Sequence, residues 1–362
     1  MIISRKKCIC FTITMLAMIF RYLAMWDLIS PSQRYFILII VLLMLGIYLH
    51  GKKINKNKIV AIFIILIIGI IDFVISNEID IFMSLLLAFI YLYDDGDKDF
   101  LKHFILASST LYIVTILLCS YDIINNVEFV RVVGDKQIIR NTLGFPNPNH
   151  ALTLLTAIII SLGLSINLKK YIVLFCIFAL TTSCLIFYQT NSRTGFYLIL
   201  LFLILVIFRK FIKIKKKNIY KYTFLYLTII SFFIAIFFEN NVILNDILTN
   251  RPSLWANHIN NLPISLFGFA NAKVDNNYLW LIYRHGIIVY LFYFYIYVKS
   301  FKYFSKDKLL FISYMMILIY SMFENTLNYA MNPIFVICLL YVLNKDSYKM
   351  LYSKSREGDI IE

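Results

Sequence analysis

Charge is what this chain has least of. Asp, Glu, Lys and Arg make up 15% of its 362 residues, against about a quarter in soluble domains. With 61% apolar residues and a mean hydropathy of +0.78, this excludes a soluble enzyme, a disordered chain and a nucleic-acid binder. Glycine (11) and proline (6) are also few, so each one marks a local backbone requirement. There are only six cysteines. Cys119, Cys176, Cys184 and Cys338 lie in apolar runs, and Cys8 and Cys10 follow Arg5-Lys6-Lys7. Placed so, they form no disulfide framework, and no metal-ligand spacing occurs among them, which leaves them as small core or lipid-facing residues.

What is abundant is long apolar runs. Helices are expected near 8–26, 33–50, 58–75, 79–93, 101–119, 149–166, 171–188, 195–209, 223–238, 277–298, 309–327 and 332–344, the content of an all-α polytopic membrane protein with about twelve transmembrane helices. The first run is too long for the core of a signal peptide and has no clear cleavage site, so it reads as an uncleaved helix. No internal repeat is evident, and no soluble segment is long enough to fold alone. The expected organisation is one integral membrane domain over 1–362.

The net charge of +15 then has a topological meaning. Alternate connections collect 26 of the 35 Lys and Arg, and the opposite set holds seven. The lysine-rich set marks the cytoplasmic side, with both termini on it. Lys210 to Lys221 interleaves six lysines with apolar residues, a stretch suited to anionic lipid headgroups. The acidic turn of Asp94, Asp95, Asp97 and Asp99 lacks the order of a calcium loop and reads as solvated.

Two connections are long, 120–148 and 239–276, and both fall on the outer side by this parity. Arg21, Asp72, Arg284, His285 and Glu324 occupy the outer parts of their helices, and Arg193 the tip of a hairpin. A gathering of costly charges near one leaflet points to function there. Asn147 before Pro148 suits a helix cap, as do Asn191 or Ser192, Asp275 or Asn276, and Asn332. In Asn250-Arg-Pro-Ser-Leu-Trp-Ala-Asn-His258, Pro252 opens a short helix with Arg251, Trp255 and His258 on one face. Arg251 suits phosphate oxygens, Trp255 a sugar face or an interfacial anchor, and His258 a proton shuttle or a plain surface position. Gly268 is expected to supply a turn.

These residues carry a resemblance. The segments Arg140-Asn-Thr-Leu-Gly-Phe-Pro-Asn-Pro-Asn149, Asn191-Ser-Arg-Thr-Gly195, Arg251 with Trp255 and Gly268, Asp275-Asn-Asn-Tyr-Leu-Trp280, Tyr283-Arg-His-Gly286 and Glu324 follow one another as in Wzy-type polysaccharide polymerases. The chain resembles that family over most of its length and the O-antigen ligases more distantly. The resemblance implies a GT-C-like, metal-independent glycosyltransferase without a cofactor, located in the bacterial cytoplasmic membrane. It would transfer a growing capsule, O-antigen or exopolysaccharide glycan from undecaprenyl pyrophosphate to the non-reducing end of another lipid-linked repeat unit. Implied partners are undecaprenyl-pyrophosphate-linked oligosaccharides and membrane lipids, with a chain-length regulator and a flippase beside them.

By analogy with the ligases, Arg193 and Arg251 match the pyrophosphate contacts, and the essential ligase histidine falls near Asp275, where this chain has none. Asp275 is therefore the first candidate for the base, with His258 and Glu324 behind it. Arg140, Arg284, Asn147, Asn149, His150, Trp255 and Asn276 are the remaining candidate substrate contacts. A lipid-linked oligosaccharide flippase and an O-antigen ligase are the alternative readings. Two large outer loops are not expected of a flippase.

Overall fold

The computed structural model describes residues 5–26, 28, 30–50, 56–76, 79–92, 97–133, 136–214, 217–269, 272, 274–326 and 332–343. In chain order the elements are α1 (Arg5–Trp26), α2 (Pro31–Leu49), α3 (Lys56–Ser76), α4 (Asp80–Tyr91), α5 (Asp97–Ser120), β1 (Glu128–Val133), β2 (Lys136–Asn141), α6 (Pro148–Ser165), α7 (Leu168–Thr190), α8 (Arg193–Ile207), α9 (Lys217–Lys221), α10 (Thr223–Phe237), α11 (Val242–Leu248), α12 (Arg251–Asn261), α13 (Asn277–Trp280), α14 (Gly286–Phe304), α15 (Lys308–Tyr320) and α16 (Pro333–Leu343). A π-helical turn, Leu281–His285, joins α13 to α14. Asp94, Asp95, Lys273, the lysines at 52 and 53 and the basic tail beyond 343 lie outside the described residues.

All twelve expected apolar segments are helical, but the count of twelve membrane spans is corrected. Among the described residues, five helices are long and apolar enough to cross a membrane: Lys7–Trp26, Asp99–Ser120, Pro148–Ser165, Leu168–Thr190 and Asn277–Phe304. Seven further helices, α2 and α3 among them, carry shorter apolar stretches of 10–17 residues, such as Tyr35–Tyr48 and Ile62–Ser76, against the ~20 that a bilayer core needs. The mostly helical chain fits the all-α membrane class expected, with one small addition. The first long connection contains an antiparallel hairpin in which Glu128 pairs with Asn141 and Val133 with Lys136. Gly134 and Asp135 alone separate the strands in sequence, a spacing suited to a tight hairpin.

Polarity is inverted along several helices, as expected where the surroundings are lipid. Buried residues of α10 are Thr223, Phe224, Thr228, Ser231 and Ala235, while Ile229, Phe233, Ile236 and Phe237 are exposed. On α7, Ala179 and Ser183 are buried, and Val173, Leu174, Ile177 and Leu185 face outward. A water-soluble amphipathic helix does the reverse.

The chain forms two compact units, where the sequence reads as one membrane domain. The first comprises residues 1–54 and 89–208 with a short piece of the tail. It holds α1, α2 and α5–α8, with α1 packed on α2 and α5, and α6 on α5, α7 and α8. Asn147 caps α6 as expected, its side chain accepting from the Asn149 and His150 amides with Pro148 at the first helical position. Lys7 meets the Asp99 carboxylate at 2.8 Å, so one member of the acidic turn is ion-paired.

The second unit comprises 55–88 and 209–348 with the last residues of the chain. Its core is aromatic. Tyr293 and Tyr297 are buried against Phe335 of α16, with the Tyr293 and Phe335 rings stacked at 4.5 Å, and Tyr314 is buried against Tyr297. The long helix Asn277–Phe304 is interrupted at Gly286, whose φ of +87° no helix accommodates. The segment 265–269 docks into this break. The Phe269 amide bonds the Tyr283 carbonyl at 2.8 Å, and the Ile287 and Ile288 amides bond the carbonyls of Ser265 and Leu266. Backbone groups freed by the interruption are thereby satisfied, as an apolar interior demands.

Gly268, the expected turn, has φ +75°, and a Cβ there would lie 2.2 Å from the Arg284 carbonyl oxygen. A Cβ on Gly286 would lie 2.3 Å from the Leu266 oxygen. Gly268→Ala and Gly286→Ala are each expected to lower stability by at least about 1 kcal/mol. Thermal unfolding in detergent should show the loss, and unchanged melting in both variants would contradict this docking.

Candidate functional site

The second long connection is built, not loose. Asn241 caps α11, and Thr249 and Asn250, both with left-handed backbones, turn the chain into α12. The Asn245 side chain bridges this turn, donating to the Glu239 carbonyl and accepting from the Ser253 amide. Pro252 sits at the start of α12 as expected. With α12 packed against α10, Arg251 and Trp255 are driven inward one helical turn apart.

There Arg251 meets two carboxylates. Its Nε donates to Asp275 at 2.7 Å and a terminal nitrogen donates to Glu324 at 2.8 Å. Trp255, fully buried, donates its indole N–H to the other Asp275 oxygen at 2.7 Å. The guanidinium also lies over the Phe323 ring. Burial alone would push the Arg251 pKa down, but the Glu324 and Asp275 charges outweigh it and hold the value above the ordinary one. The three side chains differ in access. Arg251 and Glu324 side chains are 8% and 9% exposed, whereas Asp275 is 39% exposed.

Local structure fixes each member. Asn276, immediately after Asp275, is the cap that the sequence allowed at this point. Its side chain accepts from the Tyr278 and Leu279 amides and donates to Ser231 of α10. Glu324 follows α15, which stops at Tyr320 rather than near 327, so the chain turns back in time to present this carboxylate. Asn325 then donates to the Val274 carbonyl, tying that turn to the segment carrying Asp275.

Other candidates stand elsewhere. His258, half-buried on the last turn of α12, takes part in none of these bonds. Arg284 donates to the carbonyls of Ala272 and Ser76 and lies over Trp280. In the first unit, Arg140 of β2 donates to the Thr190 carbonyl and to the Asn149 side chain, joining the hairpin to the end of α7 and the start of α6. His150 lies in the first turn of α6. Arg193 is half-buried at the first position of α8, where Ser192 is the cap but makes no side-chain capping bond.

Sequence reasoning singled out Asp72 and His285 separately and missed their pairing. The Asp72 carboxylate of α3 and His285 Nδ1 of the π turn hydrogen-bond, with both side chains 1% exposed. An aspartate inside an apolar run demands a partner, and that demand was the available signal.

Arg251→Ala strands Glu324 as a buried charge and should cost about 3–5 kcal/mol. Arg251→Ala combined with Glu324→Ala should cost less than the single change, because no unpaired charge remains; thermal unfolding of the set decides it. Asp72→Ala, which leaves the His285 nitrogen buried without its acceptor, should cost about 1–3 kcal/mol in the same assay. No protein-family model fits this chain, and no curated protein or solved structure matches it.

Proposed function

We propose that this protein is a polysaccharide polymerase of the bacterial cytoplasmic membrane. In this reading it is a GT-C-like, metal-independent glycosyltransferase with both termini in the cytoplasm. It transfers a growing glycan from undecaprenyl pyrophosphate to the non-reducing end of another lipid-linked repeat unit at the outer face.

The observation that supports this most is the Arg251 cluster. A cation and two carboxylates are costly to assemble in so apolar a chain, and charges retained at such cost are usually functional. One of the carboxylates, Asp275, keeps substantial exposure while both its oxygens are oriented by hydrogen bonds. In transfer, the acceptor hydroxyl oxygen attacks the anomeric carbon. The new C–O bond forms as the bond to pyrophosphate breaks, and the electron pair leaves with the pyrophosphate. The hydroxyl proton passes to Asp275, which a base in hydrogen-bond reach can accept. Pyrophosphate departs without a strong general acid when cations hold its charge, a role given to Arg193 and Arg251 by the resemblance.

The full-length protein in proteoliposomes, supplied with undecaprenyl-pyrophosphate-linked repeat units, should produce a ladder of polymer. Asp275→Asn keeps the shape of the side chain and should reduce transfer at least about 100-fold with donor still bound. Arg193→Ala should abolish polymer while the protein still reaches the membrane. Normal turnover in Asp275→Asn would remove its role, and translocation of single units without polymer would overturn the proposal in favour of a flippase.

A further inference from the structure

At the lysine-rich end of the second unit, α9, the last two turns of α14 and the end of α16 border a half-open cavity of about 580 Å³. Lys299 and Lys302, one turn apart on α14, line it, as do Lys306 just beyond that helix and Lys221, the last residue of α9. No carboxylate is among the described residues that line this cavity. Lys221, Lys299 and Lys302 bring three ammonium groups to one space, where a multivalent anion offsets their mutual repulsion.

The remaining walls suit such a guest. Asn218 and Ser305 add polar groups. Tyr303 and Tyr341, both buried with ring centroids 5.1 Å apart, give the cavity an aromatic wall. Lys299 rests over Tyr295 and Lys302 over Tyr303, contacts that place each ammonium group without consuming its three N–H donors. The volume lies in the range of small-molecule sites and exceeds what a single phosphate fills.

We infer that this cavity is a binding site for an anion carrying two phosphate groups, either the bisphosphate headgroup of a membrane lipid or a free diphosphate. It is separate from the Arg251 cluster and does not depend on the polymerase reading. Basic pockets between membrane helices on the positively charged side are suited to such headgroups.

The test uses the purified full-length protein in neutral detergent. Native mass spectrometry should show cardiolipin retained in preference to phosphatidylcholine. Lys221→Gln/Lys299→Gln/Lys302→Gln should weaken that retention at least tenfold, whereas Lys169→Gln/Lys170→Gln, an exposed pair in the first unit, should leave it intact. Calorimetric titration with inorganic pyrophosphate separates the sources. Binding lost in the triple variant assigns a soluble diphosphate, and no binding alongside cardiolipin retention assigns the lipid. Should the triple variant fail to fold, the exposed single change Lys302→Glu must weaken the probe that the wild type retains. Equal binding by wild type and these variants, or an equal loss in the Lys169/Lys170 control, overturns the site.

Discussion

Where a helix is broken in apolar surroundings, the peptide groups it releases have to be bonded again by something close at hand. In the second unit that something is the segment 265–269, which takes up the Tyr283 carbonyl and the Ile287 and Ile288 amides at the Gly286 break. Much else follows from it. The segment comes directly after α12 and shortly before Asp275, so its docking limits where both can lie. The π turn beside the break aims Arg284 at the last carbonyl of α3 and His285 at Asp72 on the same helix. One interruption thus positions the second long connection and anchors α3.

Charges in this unit are paired by the same logic. Arg251 reaches two carboxylates that are distant in sequence, and each is delivered by a capped or terminated helix. Inward-facing hydroxyls behave likewise: Thr228 accepts from Tyr290, and Ser231 accepts from Asn276. Polar side chains here hold helices together from within, while apolar ones meet the surroundings.

Much of this was legible from the chain. Apolar runs located the helices, Asn147 with Pro148 announced the start of α6, and Pro252 the start of α12, because these signals act within a single turn. Gly268 was legible as a turn but not as the partner of Gly286, since that contact joins backbones far apart in sequence. The hairpin was missed because Phe129, Val130 and Ile139 are exposed and give no one-sided alternation. Ion pairs were least accessible. Arg251, Asp275 and Glu324 each stood out as a charge in an apolar chain, yet nothing local says which carboxylate an arginine will meet. Trp255 shows the same limit from the other side. Its spacing placed it on the face of Arg251, and only packing made that face the inner one.

The hairpin also acts as a depth gauge. Among the described residues β1 and β2 form a sheet of two strands, so each strand has one edge without a neighbouring strand. Such edges have no place in hydrocarbon, where every unmet peptide group is costly. A ribbon of this kind suits the level of the headgroups better than the bilayer core. Arg140 ties it to the end of α7 and to Asn149 at the head of α6, so the hairpin and those two helix ends share one level of the first unit.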